Sequence, residues 1–180
     1  MWIREALPSD CHALGELHAA SWRIAYRGAL SDAFLDTDVV ADRCSLWVRQ
    51  MARPEPGQRI FITGTGDTMA GFCCVLSEHD PVQGAYLNNI HVLQTDQRSG
   101  YGRALLHAAA CACLPAQADT GLYLFVLQSN HAAQAFYTRF GGVINGTESW
   151  DAPDGNTIPA FRMHWASVRA LVEATAAQPR

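Results

Sequence analysis

The sequence predicts a mixed α/β sheet with helices on its faces. Three observations carry this. A strand-like start is followed by two helical regions, and three strand-like runs then succeed one another with turn residues between them. A nearly continuous apolar run, Leu122-Tyr123-Leu124-Phe125-Val126-Leu127, lies between two further helical stretches, as expected of a central strand covered on both faces.

Taken in order, Trp2, Arg4 and Ala6 alternate with Ile3 and Glu5, which suits a first strand. Pro8-Ser9-Asp10 breaks it and offers helix caps. Leu14, Leu17, His18, Ser21 and Trp22 share a helical stripe that runs to about Tyr26, and a second helix fits residues 39 to 51. Arg53-Pro54-Glu55-Pro56-Gly57 closes it. The runs 59 to 64 and 69 to 76 flank a Gly66-Asp67 turn and read as a hairpin, with a third strand over residues 85 to 93. From Gly100 to about Cys113 the chain is rich in Ala and Leu, so a helix is expected until Pro115. Ser129 or Asn130 caps a helix ending at Phe140, where Gly141-Gly142 supplies a left-handed residue. Residues 143 to 150 and 157 to 165 flank Pro153-Asp154-Gly155 as a terminal hairpin, which brings the strands to seven. Residues 166 to 180 form an Ala-rich tail with helical composition.

The 180 residues are 49% hydrophobic and 17% charged, the profile of one compact domain with one sizeable core. No uninterrupted apolar run approaches the roughly 18 to 20 residues that cross a bilayer, and the N-terminus lacks a cationic then apolar leader. No membrane association is expected, and the cytoplasm is the default location. The net charge is -4 and the 13 Lys+Arg residues form no basic run, so nucleic acid is not an expected partner. The six cysteines read as small buried thiols; Cys73 and Cys74, adjacent in a strand, should face opposite ways. No Cys-x-x-Cys or His-x-x-x-His spacing is present, so no metal site is expected.

The segment Gln97-Arg98-Ser99-Gly100-Tyr101-Gly102-Arg103 joins a strand to a helix. Such a junction leaves the first N–H groups of the helix without internal partners, and their dipoles favour negative charge. Gly100 and Gly102 allow close backbone approach, and Arg98 and Arg103 add positive charge. Alone, two glycines equally make a tight turn. A dinucleotide fingerprint would want a small residue where Leu105 stands and an acid at Leu127 or Gln128, and a nucleoside-triphosphate loop would need a lysine that this segment lacks.

With these residues in place the chain resembles the GNAT superfamily of acyl-CoA N-acyltransferases. Gln97-Arg98-Ser99-Gly100-x-Gly102 fits that family's Gln/Arg-x-x-Gly-x-Gly/Ala pattern, and Asn130, Ala135-Phe136-Tyr137 and Phe140-Gly141-Gly142 resemble its second motif. The resemblance covers residues 1 to 165 as one domain. It implies a single, mostly antiparallel twisted sheet of about seven strands, and acetyl transfer from acetyl-CoA to a primary amine of a small molecule or peptide by direct attack in a ternary complex. Monomer and homodimer both remain open.

What the resemblance implies for single residues follows from that chemistry. Tyr137 is placed near the cofactor sulfur, where a phenol can protonate the departing thiolate; it also lies on the apolar stripe Ala133, Phe136, Tyr137, Phe140. Asn130 is placed beside the cofactor arm and is also a good helix cap. Backbone groups near Val92 and Leu93 are expected to meet the pantetheine. The fourth strand offers Asn88, Asn89 and His91 but no carboxylate, so His91 and, on the preceding strand, Glu78 are the candidate bases. The acceptor pocket falls to the first two helices, with Trp22, Arg23, Tyr26 and Arg27, together with Asn89. Arginines facing that pocket would favour an amine bearing a carboxylate. Two further readings are a non-catalytic coenzyme A-binding regulatory module, motivated by the missing carboxylate base, and a nicotinamide-dependent oxidoreductase, already weakened by Leu105.

Overall fold

The computed structural model describes residues 1–117 and 121–176. Strand β1 (Trp2–Glu5) leads through a 3₁₀ turn, Pro8–Asp10, into α1 (Cys11–Ala25); a π-helical turn, Phe34–Asp38, enters α2 (Val39–Ala52). Three strands follow, β2 (Gln58–Thr65), β3 (Thr68–Asp80) and β4 (Gly84–Val92), then α3 (Tyr101–Gln117), β5 (Leu122–Leu127) and α4 (His131–Arg139). Strands β6 (Val143–Asp151) and β7 (Thr157–Trp165) and helix α5 (Val168–Thr175) complete the described chain.

The strands form one seven-stranded sheet in the order β1-β2-β3-β4-β5-β7-β6. Every neighbouring pair is antiparallel except β4 and β5. This is the mixed, mostly antiparallel sheet that the sequence led us to expect. Inserting β7 between β5 and β6 carries the last hairpin back beside the centre of the sheet.

The α1 stripe is buried throughout, at Leu14, Leu17, His18, Ser21 and Trp22. A side chain on Gly15 would put its Cβ 2.6 Å from the Cys44 Cα, so glycine lets α1 and α2 meet backbone to backbone. These two helices cover one face of the sheet around Trp47, Ile62, Phe72 and Cys74. Helices α3, α4 and α5 cover the other, where Leu105, Leu106, Leu122 and Leu124 meet Cys73. Cys73 and Cys74 therefore do face opposite layers. Truncating either Leu105 or Leu106, both fully buried, to Ala would cost about 2 to 5 kcal/mol.

Two elements depart from the sequence reading, and a third, the tail, takes the helical form its composition offered. Helix α3 passes Pro115 and ends at Gln117, since a proline in the last turn forfeits only the bond its own N–H would have made. Strand β5 is covered on one face by α3, but Phe125 on the other face is 40% exposed. The tail is helical over α5, where Val168 and Leu171 are buried in the same core as α3. Residues 177–180 of that tail lie outside the described residues.

Candidate active site

The sheet opens where β4 passes β5. The two strands pair only at Ala85 with Leu122 and Tyr86 with Tyr123, while β4 stays paired to β3 as far as Val92. Beyond Tyr86, one edge of β4 faces a wedge. The Leu93 N–H bonds the Ala70 carbonyl at 2.9 Å, and the Leu93 carbonyl accepts from the Asp96 N–H at 2.9 Å. Both backbone groups of Leu93 are thus engaged, which removes it from the expected cofactor contacts. Backbone direction alternates along a strand, so it is the N–H and C=O groups of Ile90 and Val92 that face the wedge.

A bulge sharpens the opening. Cys74 pairs with Asn89 and Val75 with Leu87, which leaves Asn88 without a partner on β3. Simple alternation would send Asn88 and Asn89 to opposite faces; the bulge lets both line one cavity.

At the end of the wedge the glycine turn is a concave run of donors. Arg98 has φ 64 and Gly100 φ 89, so left-handed residues alternate with ordinary ones and turn successive N–H groups inward. The first helical bond runs from the Ala104 N–H to the Gly100 carbonyl at 3.0 Å. Among the described residues, the N–H groups of residues 98–103 find no protein acceptor. Gln97, Arg98 and Ser99 are exposed, Tyr101 is buried, and Arg103 is partly covered. A Cβ on Gly100 would meet nothing within 4 Å, so the concavity is open there. Gly102 instead faces the Phe136 ring, which a Cβ would approach to 3.3 Å.

Helix α4 closes the other side. Asn130 caps it, its Oδ1 accepting from the Ala133 N–H at 3.1 Å. Tyr137 is 7% exposed and packs edge-on against Phe136 and Trp165, so its packing role is real. Burial, and then the neighbouring Tyr26 phenol, hold its hydroxyl protonated well above the usual tyrosine range. A phenol kept in this state is a donor.

On the α1 and α2 face lies a cavity of about 580 Å³, walled by α1, α2, β4, β5 and β6. Trp22 and Tyr26 both line it, with different parts. Trp22 is 4% exposed, with the Arg43 guanidinium 4.1 Å from its ring centre, Tyr26 stacked at 4.8 Å and Trp150 edge-on at 5.7 Å. It is the hub of the wall, and Tyr26, less covered, presents its ring to the space. Burial pushes the Tyr26 phenol up to about 12. Asn88 and Asn89 line the cavity from β4.

Arg23 does not. Its Nε donates to the Leu35 carbonyl at 2.9 Å, and Arg27 is held by Asp32 and Asp36, so both arginines brace the segment after α1. The cavity's guanidinium is Arg43 of α2, which the sequence reading missed. Arg43, Leu46 and Gln50 stand at helical spacing i, i+3, i+7, a signal that was present in the sequence. Also missed were Tyr86, Phe125 and the carboxylates Glu148 and Asp151 of β6.

Neither of the two candidate bases is among the residues lining the cavity, and Glu78 is exposed near the end of β3, away from the α1 contacts that His91 makes. His91 is partly buried between Phe72 and His18, with Nδ1 2.9 Å from the Ser21 hydroxyl. Burial first, and the Arg43 charge second, hold it down to about 3, so its imidazole is neutral. Among the described residues, no group of three potential metal-ligating side chains comes together. No described helix is long and apolar enough to cross a membrane.

Residues 13–142 match the model of the acetyltransferase (GNAT) family. A probable N-acetyltransferase of Mycobacterium tuberculosis is 25% identical over 164 residues, covering 87% of this chain and 88% of its own. Among solved structures, a GCN5-related N-acetyltransferase from Rhodopseudomonas palustris superposes with a TM-score of 0.70 at 18% identity, covering 92% of this chain and 94% of that one. The PaiA N-acetyltransferase from Thermoplasma acidophilum, solved in complex with coenzyme A, gives 0.69 at 18% identity over 92% and 98% of the two chains.

Proposed function

Since the chain belongs to the acetyltransferase (GNAT) family, we propose that it moves an acetyl group from acetyl-CoA to a primary amine of a small molecule or peptide, by direct attack in a ternary complex. The observation that carries this reading is the continuity of backbone donors. The edge of β4 at Ile90 and Val92 runs into the unpartnered N–H groups of residues 98–103, so a pantetheine arm and a pyrophosphate fit end to end. Arg98 and Arg103 flank the phosphates, with Gln97, Ser99 and Tyr101 completing the turn, and Asn130 supports the arm from α4.

In the reaction, the amine nitrogen attacks the thioester carbon; the N–C bond forms and the C–S bond breaks. The Val92 N–H polarises the thioester oxygen as charge gathers on it. Tyr137 gives its proton to the departing sulfur, a role suited to a phenol that burial keeps protonated. The proton lost by the amine passes to the neutral His91. This role calls for the tautomer in which Nδ1 carries the ring proton toward the Ser21 hydroxyl and Nε2 is the accepting nitrogen. So weakly basic an imidazole takes the proton only as the N–C bond forms and the amine N–H turns acidic.

The test is to supply acetyl-CoA with a panel of amines and follow both the released thiol and the acetylated product. Turnover with at least one amine is expected. Thermal stabilisation by coenzyme A with no turnover on any amine would overturn transfer in favour of a binding module, and stabilisation by NAD but not coenzyme A would overturn both.

A further inference from the structure

We propose that the acceptor amine carries a carboxylate on a flat apolar body, and that Arg43 is the residue that holds this carboxylate. The inference rests on the acetyl-transfer reading of the same cavity. The chain contains no lysine, so its fixed side-chain cations are guanidiniums, with donors in set directions. Arg43 is the one that lines the cavity. Its side chain is only 11% exposed, and its guanidinium carbon lies over the Trp22 ring, 4.1 Å from the ring centre. Nε and Nη2 both donate to one oxygen of Asp42, which leaves three of the five N–H donors without a protein partner among the described residues. Asp42 takes one side of the guanidinium, and the remaining donors form an open fork whose geometry matches a second carboxylate.

The rest of the wall agrees in kind. Gln50, two turns along the same stripe, has a buried Oε1 with no partner, an acceptor for a ligand N–H or O–H. Tyr26, Trp150 and Phe125 add aromatic surface for a ring or a broad aliphatic body. The cavity's own carboxylates give a weaker call for a cation. Glu148 is 50% exposed and 3.7 Å from Arg162, and Asp151 is exposed and accepts from Thr157 at 3.0 Å.

Calorimetric titration of the coenzyme A-loaded protein with L-phenylalanine, L-phenylalaninamide, phenethylamine and L-alanine tests this without requiring turnover. Phenylalanine is expected to bind about 10- to 100-fold more tightly than the two analogues lacking a carboxylate, and more tightly than alanine. Arg43→Gln should erase the preference for the carboxylate, and Arg43→Lys should restore only part of it. Equal binding of acid and amide, binding of none of the four, or an equal loss for acid and amide in a stably folded Arg43→Gln protein would overturn the proposal. The wild-type series decides by itself if the variant does not fold. Correct binding order with no acetylated product would sink acetyl transfer and leave the carboxylate anchor standing.

Discussion

The Ser21 hydroxyl lies 2.9 Å from His91 Nδ1 and ties α1 to β4 where the sheet opens. Because burial and Arg43 hold His91 down to about 3, its charge does not change across neutral pH. The kcat/KM profile should therefore show no limb near pH 6.5, and its rise with pH should follow deprotonation of the amine. A limb near 6.5 that disappears in His91→Gln would contradict this.

Acid should destabilise the fold through two histidines. Trp47 donates its indole N–H to His18 Nδ1 at 3.1 Å, so the His18 proton sits on Nε2, where no partner meets it. Burial keeps His18 well below its ordinary value. Below about pH 6.5 the unfolded chain protonates both His18 and His91 while the folded chain does not, so stability falls as pH drops through that window. At pH 5 the loss is up to about 2 kcal/mol for each histidine. Urea midpoints at pH 7 and pH 5 would measure it, and a flat profile would be the contrary result.

Tyr137→Phe removes a hydroxyl and little packing. We expect kcat to fall by about 100-fold. Stabilisation by coenzyme A should be unchanged, as should the melting temperature within a few degrees. Full activity in this variant would transfer the role to water.

Gly100 and Gly141 make a matched pair. Both are left-handed, with φ 89 and 84, and both face open space. Alanine at either costs about 1 kcal/mol of backbone strain. Only at Gly100 does the new methyl project into the donor-lined turn, so coenzyme A affinity should weaken about tenfold in Gly100→Ala and hold in Gly141→Ala. Equal affinities in a calorimetric titration would place the phosphates elsewhere.

Arg23→Ala should leave the acceptor KM unchanged. Its lost bond to the Leu35 carbonyl should instead cost about 1.5 to 3 kcal/mol of stability. A KM that rose without a change in stability would return Arg23 to the pocket.

Why the sequence pointed to Arg23 and not Arg43 is a matter of helical phase. One-sided burial imprints a period, so the α1 stripe from Leu14 to Trp22 could be read residue by residue, as could the alternation of Cys73 and Cys74. Trp22 and Tyr26, four apart, share the cavity side; Arg23 is turned by one residue, about 100°, and finds the loop instead. The stripe Arg43, Leu46, Gln50 is polar at both ends and carries no hydrophobic signature. Glu148 and Asp151 reach the cavity only through the β5-β7-β6 order, a long-range pairing to which local composition is blind. Leu93 turns its N–H to Ala70 rather than to the wedge because a backbone group's direction depends on register, which local sequence does not set. The two motifs around Gly100 and Tyr137 were legible because close backbone approach and helix ends constrain residue type directly.

Among the described residues, two rungs, at Ala85 and Tyr86, stitch four strands on one side of the sheet to three on the other. An extended cofactor arm lying along Ile90 and Val92 would supply further rungs from outside the chain. On the proposed function the donor would be a temporary piece of the sheet as well as a reactant, and each departure of coenzyme A would unzip a seam for the next molecule to close.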